Sequence, residues 1–132
     1  MRTILALLLF TLPLLGAKPE EISSESGQRK VLFDLVRPEV AKQAKLRTNQ
    51  VKFEGSLKKL CNWAFFGGRS LDSNSKSLKL EPLGNDDTCA LFLKTRKGWV
   101  LVDWSAGHSD VVYYEWITSY HAPSAVLGLS DD

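Results

Sequence analysis

Neither sign of charge is in excess in this sequence: 17 Lys and Arg stand against 15 Asp and Glu in 132 residues. A nucleic-acid binder or a membrane-surface protein is expected to carry a basic face or arm, so this balance argues against both. Cysteine is scarce. With only Cys61 and Cys89, at most one bridge can form within the chain. No H-E-x-x-H, no G-x-S-x-G and no clustered metal-ligand spacing is present, which removes the motifs that would name a metalloprotease or a serine hydrolase. No internal repeat and no second domain are visible. The remaining composition, 44% hydrophobic and 24% charged, is that of one ordinary globular domain.

One apolar run does occur, at the start. Met1 to Ala17 places Arg2 before an apolar run from Ile4 to Leu15 and ends in Gly16-Ala17. The run is shorter than the ~20 residues a bilayer span needs, and small residues at its end suit cleavage, so residues 1–17 read as a signal peptide. No cysteine follows Gly16 to take a lipid. The expectation is therefore a secreted or periplasmic protein with no membrane insertion after cleavage. Without Arg2, 16 basic residues face 15 acidic ones.

Residues 18–27 are polar and read as a flexible lead-in, and residues 28–129 as a single domain. Val31, Leu32, Leu35, Val36, Val40, Ala41 and Ala44 repeat at helical spacing. Pro38 interrupts them, predicting helical pieces over 28–36 and 38–46, or one kinked helix. Val51 to Leu60 alternates as a strand, with a bulge expected at Gly55, and Trp63 to Phe66 forms a second strand. Gly67 to Asp87 is rich in Gly, Ser, Asn and Asp and reads as a long mobile loop, with one short strand-like segment, SLKLEPL. Ala90–Lys94 and Trp99–Trp104 form a hairpin closed by Gly98. If these strands are antiparallel neighbours, Cys61 and Cys89 lie beyond the ~7 Å Cα limit of a bridge, and two buried thiols are expected. The sum is an α+β fold. Its N-terminal helix packs on a curved antiparallel sheet of about four strands, and a short C-terminal helix follows.

The stretch from Cys89 to Pro123 holds all three tyrosines, three of the four tryptophans and both histidines. Trp99 is expected to be a core anchor. At the Gly107-His108-Ser109-Asp110 corner, Asp110 or Ser109 can cap a helix from Val111, and Pro123 stops it before a last turn through Leu127. On that helix Tyr113, Trp116 and Tyr120 share one face, which packs on the sheet, while Tyr114 lies off it and is exposed. Trp104, His108, Asp110, Tyr114 and His121 are the candidate ligand-binding residues. No catalytic residue, metal ligand or cofactor is assigned.

Several short motifs together resemble a family of exported bacterial proteins of uncharacterised function. They are Arg37-Pro38 within the first helix, Trp63-Ala64-Phe65, Ala90-Leu91-Phe92-Leu93-Lys94, Gly98-Trp99-Val100-Leu101-Val102 and Gly107-His108-Ser109-Asp110-Val111. His121-Ala122-Pro123 with Leu127 matches the closing motif loosely. The resemblance implies a helix on an antiparallel sheet, similar to cystatin-like or nuclear-transport-factor-2-like folds, and carries no established activity. The two cysteines and the lysine-rich first strand depart from the usual pattern. The preferred reading is a non-enzymatic module of the cell envelope that binds a small ligand or an envelope protein, not nucleic acid. The alternatives are a small hydrolase using His108 with Asp103 or Asp110, and an SH3-like wall-binding domain, against which the leading helix counts.

Overall fold

The computed structural model describes residues 18–108 and 114–129. It is an α+β protein, which among the described residues has a five-stranded antiparallel sheet and two α-helices. The strands β1 (Glu20–Glu21), β2 (Lys52–Leu60), β3 (Trp63–Leu71), β4 (Asp87–Thr95) and β5 (Gly98–Ala106) lie side by side in chain order. Helix α1 (Gly27–Ala44) covers one face and α2 (Tyr114–Tyr120) packs on the other. The expected sheet of about four strands is present, with β1 as a two-residue addition at its edge. The lead-in is thus tied to the fold: β1 pairs with Lys58 and Lys59, Ile22 is buried, and Ser26 caps α1.

Helix α1 starts where the Ser26 hydroxyl accepts the Gln28 N–H at 3.1 Å, satisfying one of the amide donors a helix start leaves open. It ends where Lys45 turns left-handed (φ 59°) and the Leu46 N–H reaches back to the Ala41 carbonyl at 2.9 Å. Between these caps it is one continuous helix, and Pro38 lies within it. Leu32, Phe33 and Val36 before the proline, and Val40 and Ala41 after it, are all buried against the sheet, which holds the helix together across the missing N–H. Arg37, next to that proline, donates from Nε to the Val51 carbonyl at 3.0 Å and stacks over Phe53. It also ion-pairs with Asp34, as does Lys30, and these partners hold the Asp34 carboxyl below its usual range.

The first core alternates large and small side chains across neighbouring strands: Ala64 opposite Phe92, and Phe66 beside Ala90 beside Trp104. Helix side chains fill the gaps this leaves. Phe33, Phe53 and Phe66 form a ring cluster with centroids 5.1 to 5.5 Å apart. The second core, on the opposite face, joins Leu60, Cys89 and Leu91 to Trp116, Ala122, Val126 and Leu127. Because β4 is covered on both sides, Thr88 to Phe92 are buried without interruption.

Four sequence expectations need correction. Strand β3 does not end at Phe66 but runs through Gly67 and Gly68 to Leu71, and the backbone of β2 passes so close to Gly68 that a glycine is needed there. Gly55 carries no bulge; the β2–β3 register is unbroken. The irregularity sits in β5, where Leu91 pairs with Asp103 and Phe92 with Leu101. The extra residue, Val102, faces the second core while Leu101 faces the first.

The expected mobile loop is also shorter and tied down. Asp72 Oδ1 accepts the Asn74 and Lys76 N–H groups, the Leu78 N–H bonds the Ser70 carbonyl, and Leu80 is buried in the first core. SLKLEPL makes only isolated bridges. Finally, Cys61 is exposed in the β2–β3 turn whereas Cys89 is buried opposite Gly67, so the thiols are not both buried; they form no disulfide. The chain after α2 behaves as its sequence suggests: His121 turns left-handed, and turns from Pro123 carry Val126 and Leu127 into the second core. The expected helix start at Val111 lies outside the described residues.

Candidate functional site

A cleft of about 240 Å³ opens where the second face meets the start of β4, lined by Phe65, Gly67, Gly68, Asp87, Thr88, Cys89 and His108. Its floor follows from β3. Gly67 has no side chain to fill the space beside the Phe65 ring, which leans edge-on against Trp116 with centroids 6.2 Å apart. Gly68 lets β2 approach: a Cβ there would lie 2.1 Å from the Glu54 carbonyl oxygen and 2.7 Å from the Gly55 Cα. No other residue fits that crossing.

One wall comes from β4. Cys89 stands opposite Gly67 in the ladder, and Thr88 is held by its hydroxyl contacts to Ser70 Oγ at 2.6 Å and the Asp86 carbonyl at 2.9 Å. His108 completes the cleft from the exit of β5. It is placed by Gly107, whose left-handed backbone (φ 79°) is pinned when its N–H donates to the Asp87 carbonyl at 2.8 Å and its carbonyl accepts the Leu83 N–H at 3.1 Å. The cleft therefore offers an exposed imidazole and a carboxylate at its mouth, and a ring edge and a buried thiol deeper in.

Of the four described candidate residues, only His108 lies in it. Trp104 points to the other face, half-buried beside the first core. Tyr114 opens α2 and is 54% exposed, as its place off the aromatic stripe suggested. His121 is exposed beyond the end of α2 and does not line the cleft. Asp110 lies outside the described residues. The other lining residues are not among the candidates: Gly67, Gly68 and Asp87 fall in the stretch whose composition reads as loop, while Phe65 in its strand and Thr88 and Cys89 before Ala90 carry no local sign of a cleft. The signal was present: a glycine pair directly after an aromatic strand marks a place where backbones meet.

Asp103 is engaged on the second face. Its Oδ2 accepts the Tyr120 hydroxyl at 2.9 Å and its Oδ1 the Trp104 N–H at 2.8 Å. The carboxylate beside it raises the Tyr120 phenol above its ordinary value of 10.0. Trp99 is half-buried at the edge of the first core, with the Lys94 ammonium 5.9 Å from its ring centre, so it is a flank and not the central anchor expected. Among the described residues, no three of His, Cys, Asp and Glu gather as metal ligands, and no helix is long and apolar enough to cross a membrane. Comparison with known proteins found no matching family model, no matching curated protein and no matching solved structure.

Proposed function

We propose that this chain is an exported, non-enzymatic binding module and that the glycine-floored cleft beside His108 is its ligand seat. The observation that carries this is the cleft's construction: a bare strand floor, one aromatic wall and an exposed imidazole at the mouth. A concave, partly apolar site with few convergent polar groups suits a small ligand or one side chain of a partner protein, with an apolar body and a polar edge. Export rests on the leader sequence and on the family resemblance. The hydrolase reading is weaker on Asp103, whose two oxygens are taken by Tyr120 and Trp104. An SH3-like wall-binding barrel fits poorly with a helix on each face of an open sheet.

The test is a pull-down from envelope extract with the exported protein as bait, alongside Gly67→Ala and His108→Ala. A specific binder should be lost or weakened by both substitutions, with unchanged melting temperature. Binders retained equally by all three baits would rule the cleft out. Turnover of an ester or peptide library that disappears in His108→Ala would replace binding by hydrolysis.

A further inference from the structure

The near-neutral charge of the whole chain conceals a separation along the strands. The β2–β3 and β4–β5 turns lie at one end of the sheet, since Trp63 pairs with Leu93, Thr95 with Gly98, and the Lys94 N–H donates to the Asn62 carbonyl at 2.7 Å. Lys58, Lys59, Lys94, Arg96 and Lys97 collect at this end. Lys18 joins them, beside Lys59, Leu60 and Cys61 in a cavity of about 310 Å³.

Among the described residues, Lys58, Lys94, Arg96 and Lys97 are exposed and none is ion-paired. The acidic groups nearby are Glu20, which shares that cavity, and Glu21, whose carboxylate already accepts the Leu57 N–H and the Ser56 hydroxyl. The opposite end also carries exposed cations, Lys52, Lys76 and Lys79, but there they are interleaved with acidic groups: Arg69 pairs with Glu54 and Asp86, Asp87 stands opposite Arg69, and Asp72 accepts the Lys76 N–H. Val100, 41% exposed, and the half-buried Trp63 and Trp99 add apolar surface among the cations.

We propose that this basic end of the sheet docks on the anionic phospholipid surface of a membrane. Three observations select that partner. The cations run from β1 to β5, four strand spacings or about 19 Å, and belong to both faces of the sheet, so they cannot converge on one small anion but do match a flat array of phosphates. Aromatic and aliphatic groups beside them suit the headgroup boundary, where tryptophan is enriched. The apolar segment of residues 1–17 joins the domain at Lys18, at this same end, so any membrane that engages that segment meets this end of the sheet first. Each Lys or Arg near an anionic bilayer contributes about fivefold to binding, and a cluster of four or more multiplies this to several hundredfold.

Vesicle co-sedimentation tests this with the chain from Lys18 onward, which contains every described strand, both described α-helices and both cores. Phosphatidylglycerol-containing vesicles should bind the protein, pure phosphatidylcholine vesicles should not, and 0.5 M salt should release it, as expected for screened charge. Replacing Lys58, Lys94, Arg96 and Lys97 together by Gln should weaken binding by about a hundredfold or more at unchanged melting temperature. If that variant is misfolded, Arg96→Glu with Lys97→Glu, confined to the exposed turn, takes its place and should abolish binding. Equal binding to both vesicle types, or undiminished binding by the substituted protein, overturns the proposal. Tight binding of soluble polyphosphate without vesicle binding also overturns it, and would assign the cations to a soluble polyanion.

Discussion

Gly67 and Gly68 are neighbours in β3 but answer to different constraints, and a single methyl group separates them. At Gly68 the methyl would meet the Glu54 carbonyl oxygen at 2.1 Å, and neither backbone can yield without breaking the β2–β3 ladder. Gly68→Ala is expected to cost ~1–3 kcal/mol or more, as overpacking of a close contact does. At Gly67 the methyl meets only the edge of the Phe65 ring at 3.0 Å, which a small ring shift relieves. Gly67→Ala should leave stability nearly unchanged while filling the cleft floor, and urea midpoints of the two variants check the contrast. A similar midpoint for both would show that the crossing is looser than the distances require. Residues such as Tyr114 were legible in the sequence because helical spacing alone assigns their side. The glycine pair was not, since its meaning lies in a β2 carbonyl that no local pattern reveals.

At the scale of elements, the existence of the helix, the β4–β5 hairpin and the stop at Pro123 followed from periodicity and turn chemistry. What periodicity missed was tertiary. Pro38 is locally a breaker, yet α1 passes through it because buried residues on both sides bind it to the sheet. Pro38→Ala restores a hydrogen-bond donor at an exposed position. It should raise the midpoint in proportion to at most ~3 kcal/mol, offset by a freer unfolded chain. A loss of stability would mean that the proline sets the course of α1 over the sheet. The C-terminal segment depends on a different device, the Tyr120 hydroxyl on Asp103. A phenol whose folded value is raised contributes stability that is complete below pH 10 and is lost as pH climbs through the raised value. The environment of Trp116 should therefore loosen above pH 10, as read by fluorescence. In Tyr120→Phe this step should be absent, and a step of equal size in that variant would trace it to lysine deprotonation instead.

For the whole molecule, the decisive fact is that one sheet serves two cores. A reading with one helical layer on a sheet was available from the sequence, because α1 has a clear apolar stripe and β2 alternates. The second layer was harder to see, since β4 reads as an uninterrupted apolar run, which a one-sided strand does not require. Phe65 and Phe66 are adjacent yet belong to opposite cores, as do Leu91 and Phe92. The cores therefore share backbone, and loosening one must loosen the ladder on which the other rests. Trp116 is 3% exposed and seals the second core against Phe65. Trp116→Ala is expected to cost ~3–5 kcal/mol, a large share of the ~5–15 kcal/mol available to a domain. If the cores are one cooperative unit, urea transitions followed by far-ultraviolet circular dichroism and by tryptophan fluorescence should coincide in parent and variant, with both midpoints lowered together. Should the dichroism midpoint stay at the parent value while fluorescence shifts alone, the C-terminal segment unfolds separately. The sheet and α1 would then stand without it.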